Sequence, residues 1–239
     1  MEARIATLRR WIDESDNIVF FGGAGVSTES GIPDFRSADG LYSGHHRIPP
    51  ETILSHDFFL ENPAEFYRFY HEKMCYPDAQ PNRAHTRLAE LEAAGKLRAV
   101  ITQNIDGLHR RAGSQNVLEL HGSAARCHCM VCGRPYPGAR IDECREALPL
   151  CDCGGLLRPD VVLYGESLDQ TVMAQAICRL REATLLLVGG TSLAVYPAAG
   201  LIQYFRGARL VLINRSPTPF DESAGLLIPE KIGEVFGQI

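Results

Sequence analysis

Short apolar runs recur along the chain, and stretches with helical spacing of apolar residues lie between some of them. The first run, Ile18 to Phe21, ends at Gly22 and Gly23, as is typical of a strand buried on both faces. Five later runs have the same character: Ala99 to Thr102, Val117 to Leu120, Val161 to Tyr164, Leu185 to Val188 and Leu210 to Ile213. We therefore expect these runs to form the strands of one sheet.

Between the runs, apolar residues recur three or four positions apart, which predicts amphipathic helices. Their stripes are Ile5, Leu8, Trp11 and Ile12 in a helix over roughly Ala3 to Glu14, Leu88 and Leu91 in a helix that ends at Gly95, and Val172, Met173, Ala176, Ile177 and Leu180 in a third. Fully apolar strands that alternate with helices predict a parallel sheet covered on both sides, which is a Rossmann-like α/β architecture.

Glycine-rich and polar segments follow the predicted strands. In chain order they read GGAGVST, TQNID, HGS, GE, GGTS and NRS. In open parallel sheets, ligands bind beyond the carboxyl ends of the strands. The sequence therefore predicts a ligand site along this edge of the sheet.

Composition narrows the class of protein. The 239 residues are 45% hydrophobic and 22% charged, as in ordinary globular proteins. The longest apolar runs are far too short to span a bilayer, and the charged N-terminus, MEARIATLRRWIDES, lacks the layout of a signal peptide. We expect a soluble, cytoplasmic protein. A net charge of −5 without a basic block gives no reason to expect membrane association or direct nucleic-acid binding.

The cysteines are clustered. Five of the eight lie in two close groups, Cys127, Cys129 and Cys132 and then Cys151 and Cys153, whereas Cys75, Cys144 and Cys178 stand apart. In a chain that is not secreted, such clustering favours metal binding over disulfides. Two close pairs, Cys129 with Cys132 and Cys151 with Cys153, offer the four thiolates of a tetrahedral zinc site. Four protein ligands leave no open position, so we expect one structural zinc ion.

Two neighbouring residues compete for the first position of this site. Cys127 or His128 could replace Cys129 as a ligand. The Cys-Gly sequence at Cys132 is mirrored by the Cys-Gly sequence at Cys153, and this symmetry favours Cys129 as the partner of Cys132.

Two segments interrupt the alternation of strands and helices. Residues 35–85 are rich in aromatic residues, and residues 123–155 hold the cysteine cluster. We expect them to form an inserted smaller lobe, made of a helical module with a cofactor loop and a zinc-ribbon module. The Rossmann-like domain is then assembled from residues 1–34, 86–122 and 156–239.

The segment Gly22 to Thr28 is rich in small residues and lies between the first strand and a predicted helix. Its backbone could approach a pyrophosphate closely, and a helix N-terminus would favour the negative charge. The third glycine of the dinucleotide-binding pattern is absent, and no acidic residue ends a second strand about twenty residues later, which disfavours a hydride-transferring dehydrogenase. By itself the segment also fits a tight turn after a strand.

Longer motifs are more specific. GAGVSTESGIPDFRSADGLY (23–42), TQNIDGLHRRAG (102–113), ELHG (119–122) and GTSL (190–193) together resemble the sirtuin family, with the cysteine pairs between ELHG and LLRPDVVLYGE. The resemblance covers essentially the whole chain and is greatest to compact bacterial and archaeal members. It implies an NAD-dependent protein-lysine deacetylase, or more broadly a deacylase. Such an enzyme consumes NAD as a co-substrate and forms nicotinamide, O-acetyl-ADP-ribose and free lysine.

The resemblance also implies roles for single residues. His121 matches the general base that acts on the ribose hydroxyls, which suits an imidazole because its pKa lies near neutral pH. Asn104 matches a second catalytic residue, and with Gln103, Ile105 and Asp106 it matches the pocket for the ribose and the nicotinamide amide. Other positions match cofactor contacts: Gly23, Ala24, Gly25, Thr28, Phe35, Arg36, Gly190, Thr191, Ser192, Asn214, Arg215, Lys231 and Ile232.

The acyl-lysine of a protein substrate is expected between the two lobes. Backbone edges near residues 161–165 and 193–195 would pair with an extended peptide, through Val162, Leu163, Tyr164, Gly165 and Val195. Family members that prefer succinyl- or malonyl-lysine carry a Tyr-x-x-Arg pair, whereas this chain has Tyr67 and Tyr70 at that spacing. We therefore expect an uncharged acyl group such as acetyl, and longer apolar chains stay open.

Two other functions compete with deacetylation. The first is an NAD-consuming mono-ADP-ribosyltransferase or glycohydrolase on the same scaffold, which would release nicotinamide without an acylated peptide. The second is a zinc-ribbon protein that binds nucleic acid and has lost catalysis. The acidic charge balance and the presence of both His121 and Asn104 argue against the second.

Overall fold

Two sheets organise the computed structural model, which describes residues 1–35, 37, 40–42 and 47–239. The strands are β1 (Ile18–Gly22), β2 (Leu97–Thr102), β3 (Val117–Glu119), β4 (Gly122–Cys129), β5 (Pro135–Pro137), β6 (Leu157–Val161), β7 (Leu185–Gly189), β8 (Arg209–Ile213) and β9 (Leu226–Ile228). The helices are α1 (Glu2–Asp13), α2 (Pro50–Ile53), α3 (His56–Glu61), α4 (Pro63–Lys73), α5 (Arg83–Ala93), α6 (Leu108–Arg111), α7 (Ala139–Asp142), α8 (Gln170–Glu182) and α9 (Ile232–Phe236).

The larger sheet has six strands in the order β3-β2-β1-β7-β8-β9, and all its neighbouring strands are parallel. Every residue of β1 is buried. Phe20 lies in a core that includes buried side chains of α1, α5 and α9, whereas Phe21 lies in a second core with α8 on the opposite face. Helices therefore cover both faces of the sheet, which confirms the predicted Rossmann-like architecture.

One predicted strand of this sheet is wrong. The run Val161 to Tyr164 was expected in the parallel sheet, but β6 (Leu157–Val161) pairs antiparallel with β4 in the second, three-stranded sheet. Val161 and Leu163 pack into the core of the smaller lobe, so their apolar character has a different cause. The sixth parallel strand is instead β9, which is too short for a periodic signal.

The helix expected after the first glycine-rich segment is also absent. The chain there forms two short 3₁₀ turns, Ala24–Val26 and Thr28–Ser30, and the second ends at Gly31 in the left-handed region. Two such turns do not carry the dipole of a long helix, so any affinity for a pyrophosphate has to come from individual backbone amides.

A third core joins the two modules of the inserted lobe. The smaller sheet has the order β5-β4-β6, and its pairs are antiparallel. Phe59 and Phe66 of the helical module meet edge-on, with ring centroids 4.8 Å apart, and Cys127 and Leu157 of the sheet belong to the same core. The helical module and the zinc-ribbon module therefore pack as one lobe. The domain boundaries given above stay a prediction.

Among the helices of the described residues, none combines the length and apolar composition that crossing a membrane requires.

A pair of buried histidines lies beneath the sheet. The rings of His85 in α5 and His109 in α6 are 4.7 Å apart, and His109 also contacts Phe20. His85 accepts a hydrogen bond from the Asn82 amide, whereas neither ring nitrogen of His109 has a partner among the described residues. Burial lowers the pKa of His85 to about 4, and burial with the neighbouring His85 lowers the pKa of His109 well below its usual value.

These pKa shifts predict acid sensitivity. In the unfolded chain these two histidines bind protons near pH 6.5, whereas in the folded chain they bind them only at lower pH. Their neutral state therefore favours the folded protein above pH 6.5, and the free energy of unfolding decreases as the pH falls below that value. A His109→Leu variant keeps a similar volume without a titrating group. Between pH 6.5 and pH 5, we expect the free energy of unfolding of this variant to decrease by about 2 kcal/mol less than that of the parent. Urea unfolding at both pH values measures this, and an identical loss in parent and variant would contradict it.

Candidate active site

A cleft of 780 Å³ runs along the carboxyl ends of the parallel strands and into the inserted lobe. Its walls include the segments that follow β1, β2, β7 and β8, and on the other side α4 and the stretch after β6. In the sheet, β2 and then β3 lie on one side of β1, whereas β7, β8 and β9 lie on its other side, so the strand order reverses direction between β1 and β7. The cleft therefore lies at the switch point where α/β sheets bind ligands.

Two glycine segments come together at this switch point. The amides of Gly23 and Gly25 donate hydrogen bonds to the carbonyls of Gly189 and Gly190, at 3.3 and 2.8 Å. Gly190 has a φ of 59°, and a Cβ atom there would lie 2.3 Å from the Val26 nitrogen. Only glycine permits this approach, and the open backbone faces the cleft as a dinucleotide pyrophosphate requires.

A polar network occupies the floor of the cleft. The Ser27 hydroxyl donates to Oδ2 of Asp106 at 2.7 Å, and the Leu108 amide donates to Oδ1 at 2.8 Å. The Asn104 side-chain amide donates to the Ser27 oxygen at 3.1 Å. The network fixes an amide and a carboxylate side by side, which is the donor and acceptor set that a carboxamide ligand needs.

Burial raises the pKa of Asp106 above its ordinary value, and the hydrogen bonds from Leu108 and Ser27 oppose this. Arg111 also opposes the shift by its charge, but among the described residues no cation forms a salt bridge with Asp106, which is unusual for a buried carboxyl group. Such a group is typical of a functional site.

His121 follows β3 and lines the cleft. Its Nδ1 lies 2.9 Å from the carbonyl oxygen of Gln103. A carbonyl only accepts hydrogen bonds, so Nδ1 carries the proton and Nε2 keeps its lone pair in the neutral ring. Burial lowers the pKa of His121, which keeps the ring neutral at pH 7. The arrangement gives a general base with its basic nitrogen defined.

Gln103 connects this base to the switch point. Its backbone amide donates to Gly22 at 3.0 Å, and its side-chain amide donates to the Thr191 hydroxyl at 3.0 Å. Thr191 also accepts the amide of Leu193 at 3.2 Å. The position of His121 is therefore set by the loops that follow three different strands.

The cleft brings together all the predicted catalytic, cofactor and substrate residues that the structure describes. They are Gly23, Ala24, Gly25, Thr28, Phe35, Gln103, Asn104, Ile105, Asp106, His121, Val162, Leu163, Tyr164, Gly165, Gly190, Thr191, Ser192, Val195, Asn214, Arg215, Lys231 and Ile232. Arg36 lies outside the described residues.

The stretch after β6 is held from both sides. Val162 donates its amide to the His121 carbonyl at 3.0 Å, and Tyr164 exchanges two backbone hydrogen bonds with residues 54 and 56. The Leu163 amide donates to Glu166 at 2.8 Å, and Nη2 of Arg158 lies 2.6 Å from both carboxylate oxygens of Glu166. The amides of Val162, Leu163 and Tyr164 are therefore already paired. A peptide strand added here would have to pair with the carbonyls of this stretch or with Gly165.

Four cysteines form a cluster at one end of the inserted lobe. The Sγ atoms of Cys129, Cys132, Cys151 and Cys153 lie within 4.8 Å of one another, and two pairs are 3.5 and 3.6 Å apart. Thiolates bound to zinc at about 2.3 Å are about 3.8 Å apart in a tetrahedron, so the cluster fits zinc. A Cβ atom on Gly155 would lie 2.6 Å from the Cys129 sulfur. The glycine therefore leaves room for the cluster.

The competing ligands lie elsewhere. Cys127 is buried in the core of the inserted lobe, and its Sγ lies 3.5 Å from the Pro137 carbonyl. His128 points to the opposite face of β4, where Nδ1 lies 2.6 Å from Asp160. Cys129 is at the end of β4, where the chain turns towards Cys132.

Three residues of the site were not singled out from the sequence. Ser27 lies inside the glycine-rich motif, and Glu166 belongs to the GE segment that follows a predicted strand, so both had a signal. Arg158 had none, because its role depends on a carboxylate eight positions later and on the Phe59 ring 5.7 Å away.

The six-stranded parallel sheet, the paired glycine segments and the four-cysteine cluster define a Rossmann-like protein with a dinucleotide-type cleft. Within that class, the chain belongs to the Sir2 family, whose sequence profile matches residues 23–197. The predicted family is thereby confirmed.

Relatives and solved structures agree with this assignment. A Clostridium acetobutylicum protein named NAD-dependent protein deacetylase is 53% identical over 235 residues, covering 97% of this chain and 96% of that protein. A Staphylococcus aureus protein of the same name is 45% identical, and the match covers 98% of this chain and 97% of that protein. A Sir2 structure with a deacetylated p53 peptide and 3′-O-acetyl-ADP-ribose has a TM-score of 0.90 and 41% identity, covering 98% of this chain and 96% of that chain.

The cysteine cluster generates a prediction. Cys151→Ala removes a thiolate from a site that contributes directly to folding. We expect zinc content to fall well below one ion per chain and the inserted lobe to unfold at lower temperature, measured by elemental analysis and thermal unfolding. Cys178→Ala, an exposed cysteine of α8, is the matched control. Full zinc content in the Cys151 variant would contradict the assignment.

Proposed function

We propose that this protein is an NAD-dependent protein-lysine deacetylase that releases nicotinamide and forms O-acetyl-ADP-ribose and free lysine. The observation that carries the proposal is that a single cleft holds the oriented base His121, the Ser27–Asp106–Asn104 network and the glycine switch point. Membership of the Sir2 family and relatives named as deacetylases support it.

NAD is the co-substrate, and it supplies an activated ribose whose bond to nicotinamide is cleaved. Gly23 and Gly25, whose own amides are paired with Gly189 and Gly190, leave room for a pyrophosphate to approach the backbone amide of Ala24. The amide of Asn104 and the carboxylate of Asp106 are suited to the ribose and the nicotinamide carboxamide. Gln103 and Ile105 complete this pocket. The adenosine half extends towards the segments after β7 and β8, along Gly190, Thr191, Ser192, Asn214, Arg215, Lys231 and Ile232.

His121 acts as the general base. Its free Nε2 accepts a proton from a ribose hydroxyl, while Nδ1–H stays hydrogen-bonded to Gln103 and fixes the plane of the ring. Because burial lowers the pKa of His121, the basic form predominates at neutral pH.

Phe35 excludes water from the reacting carbon. Its ring meets Tyr42 edge-on, with centroids 5.5 Å apart, and it lines the cleft on the side of the inserted lobe. An apolar ring at this place would favour transfer of the acyl group over hydrolysis of NAD. Arg36, the next residue in the sequence, is proposed to contact NAD.

The acyl-lysine enters between the lobes, where Val162 to Gly165 and Val195 present backbone to an extended peptide. Main-chain pairing gives affinity with little sequence selectivity. At the inner end, Tyr67 donates its hydroxyl to the Leu157 carbonyl and is buried, so it is not available to a charged acyl group. Tyr70 lines the cleft at the position where an arginine would be needed. We infer a preference for acetyl over succinyl or malonyl.

The surroundings of the enzyme follow from the same properties. None of the eight cysteines forms a disulfide, as is typical of a reducing compartment, and we propose a cytoplasmic location. The expected partners are acetylated proteins, and the acidic charge balance does not favour nucleic acid.

The activity can be tested with NAD and peptides carrying acetyl-, butyryl-, succinyl- or myristoyl-lysine. We expect acetyl-dependent release of nicotinamide with equal amounts of O-acetyl-ADP-ribose, followed by mass spectrometry. His121→Ala should reduce the rate by at least about 100-fold. His128→Ala, which removes a half-exposed histidine of the zinc ribbon, is the control. Nicotinamide release that is independent of peptide would favour the ADP-ribosyltransferase or glycohydrolase function instead.

Glu166 is proposed as a positioning residue for the peptide. Replacement by Gln removes the negative charge that accepts hydrogen bonds from Arg158 and from the Leu163 amide. A hydrogen bond to a charged group contributes about 1.5–3 kcal/mol. We expect KM for the acetyl peptide to rise about tenfold or more with little change in KM for NAD. Steady-state kinetics separates the two constants, and Glu182→Gln on α8 serves as the control. An equal rise in both constants would contradict a role limited to the peptide stretch.

A further inference from the structure

A second cluster of metal-binding residue types lies in the inserted lobe, apart from the four cysteines. It consists of His71 in the last turn of α4, Cys75 just beyond that helix, and Asp142 at the end of α7. The Cys75 sulfur lies 3.1 Å from Oδ1 of Asp142 and 3.8 Å from Nδ1 of His71. All three ligand atoms lie within 4.8 Å of one another.

These separations are close to those of a metal site. For zinc bonded to sulfur at about 2.3 Å and to nitrogen or oxygen at about 2.0–2.1 Å, tetrahedral angles place the ligand atoms about 3.5 Å apart. The observed 3.1 and 3.8 Å bracket that value. The four-cysteine cluster, at 3.5 and 3.6 Å, departs from its own tetrahedral value by a similar amount.

The cluster is partly enclosed and partly open. His71 is only 8% exposed, and its imidazole is held in place by the aromatic core of α4. Cys75 and Asp142 line the cleft. Three protein ligands with an open side towards a cleft leave a fourth coordination position for water or another ligand.

We propose that His71, Cys75 and Asp142 form a second metal site that binds a divalent cation of the zinc class reversibly. The mixed nitrogen, sulfur and oxygen ligands favour zinc, cobalt or nickel over magnesium or calcium, which prefer oxygen ligands alone. Binding forms a metal–thiolate bond as the Cys75 S–H proton leaves to solvent. The cation would lie at the end of the cleft that is formed by the inserted lobe.

Two features make this site weaker than the four-cysteine site. Burial and the Asp142 hydrogen bond raise the pKa of the Cys75 thiol, so the cation has to displace a firmly held proton. The guanidinium of Arg145 lies near enough to oppose a positive charge at His71 and Cys75. Removal of Arg145 is therefore expected to strengthen binding, whereas removal of a ligand weakens it.

The test uses the full-length, zinc-loaded protein titrated with Co²⁺ at pH 7.5. We expect one further equivalent to bind, with a thiolate-to-cobalt charge-transfer band in the near ultraviolet and the visible bands of a tetrahedral ion. Cys75→Ala should abolish the charge-transfer band, and Asp142→Asn should weaken binding at least about tenfold, which corresponds to about 1.4 kcal/mol. Arg145→Ala should tighten it. Cys178→Ala is the control for an unrelated cysteine.

Zinc content and circular dichroism of each variant establish that the four-cysteine site and the fold are intact. A charge-transfer band that survives Cys75→Ala, or the lack of any additional bound Co²⁺ in the parent, overturns the proposal. Asp142→Asn preserves the size of its side chain and decides the question if the Cys75 variant does not fold.

Discussion

The close approach of the segments that follow β1 and β7 is the constraint on which the site depends. Gly25 donates its amide to Gly190, and neither position has room for a side chain. Gly22 at the end of β1 pairs with Gly189 at the end of β7, so the two strands end level with each other at the cleft. The residues proposed to bind NAD extend from this junction, and Gln103 connects the junction to His121 through hydrogen bonds to Gly22 and Thr191.

A continuous series of hydrogen bonds then connects the two lobes. The Gln103 carbonyl orients His121, the His121 carbonyl accepts the amide of Val162, and the next residue along is held by Glu166 and Arg158. His121, the proposed base, and the stretch proposed to bind the peptide are thus positioned by consecutive hydrogen bonds, one to the His121 ring and one to its backbone carbonyl. The strand β4, which follows His121, belongs to the inserted lobe and pairs with β6, and this pairing places residues 162–165 beside His121.

The inserted lobe is held by an aromatic core and by cysteine ligands, not by a large sheet. Tyr67, in that core, uses its hydroxyl on the Leu157 carbonyl, so the residue that would recognise a charged acyl group serves the packing of the lobe. The same helix brings His71 towards Cys75 and Asp142. The acyl preference and the cation site proposed for this lobe therefore both depend on how α4 packs against its neighbours.

Periodicity and motif spacing were enough to predict five strands of the parallel sheet, the helices α1, α5 and α8, the family and the cysteine pairs, because these signals lie within short segments of sequence. The sheet that the run at Val161 joins follows only from the folded chain, since its apolar residues look the same whichever core covers them. It also decided the short strand β9 and the 3₁₀ turns after Gly23. The orientation of the His121 ring depends on the Gln103 carbonyl, eighteen positions earlier, and no periodic pattern in the sequence encodes such a contact.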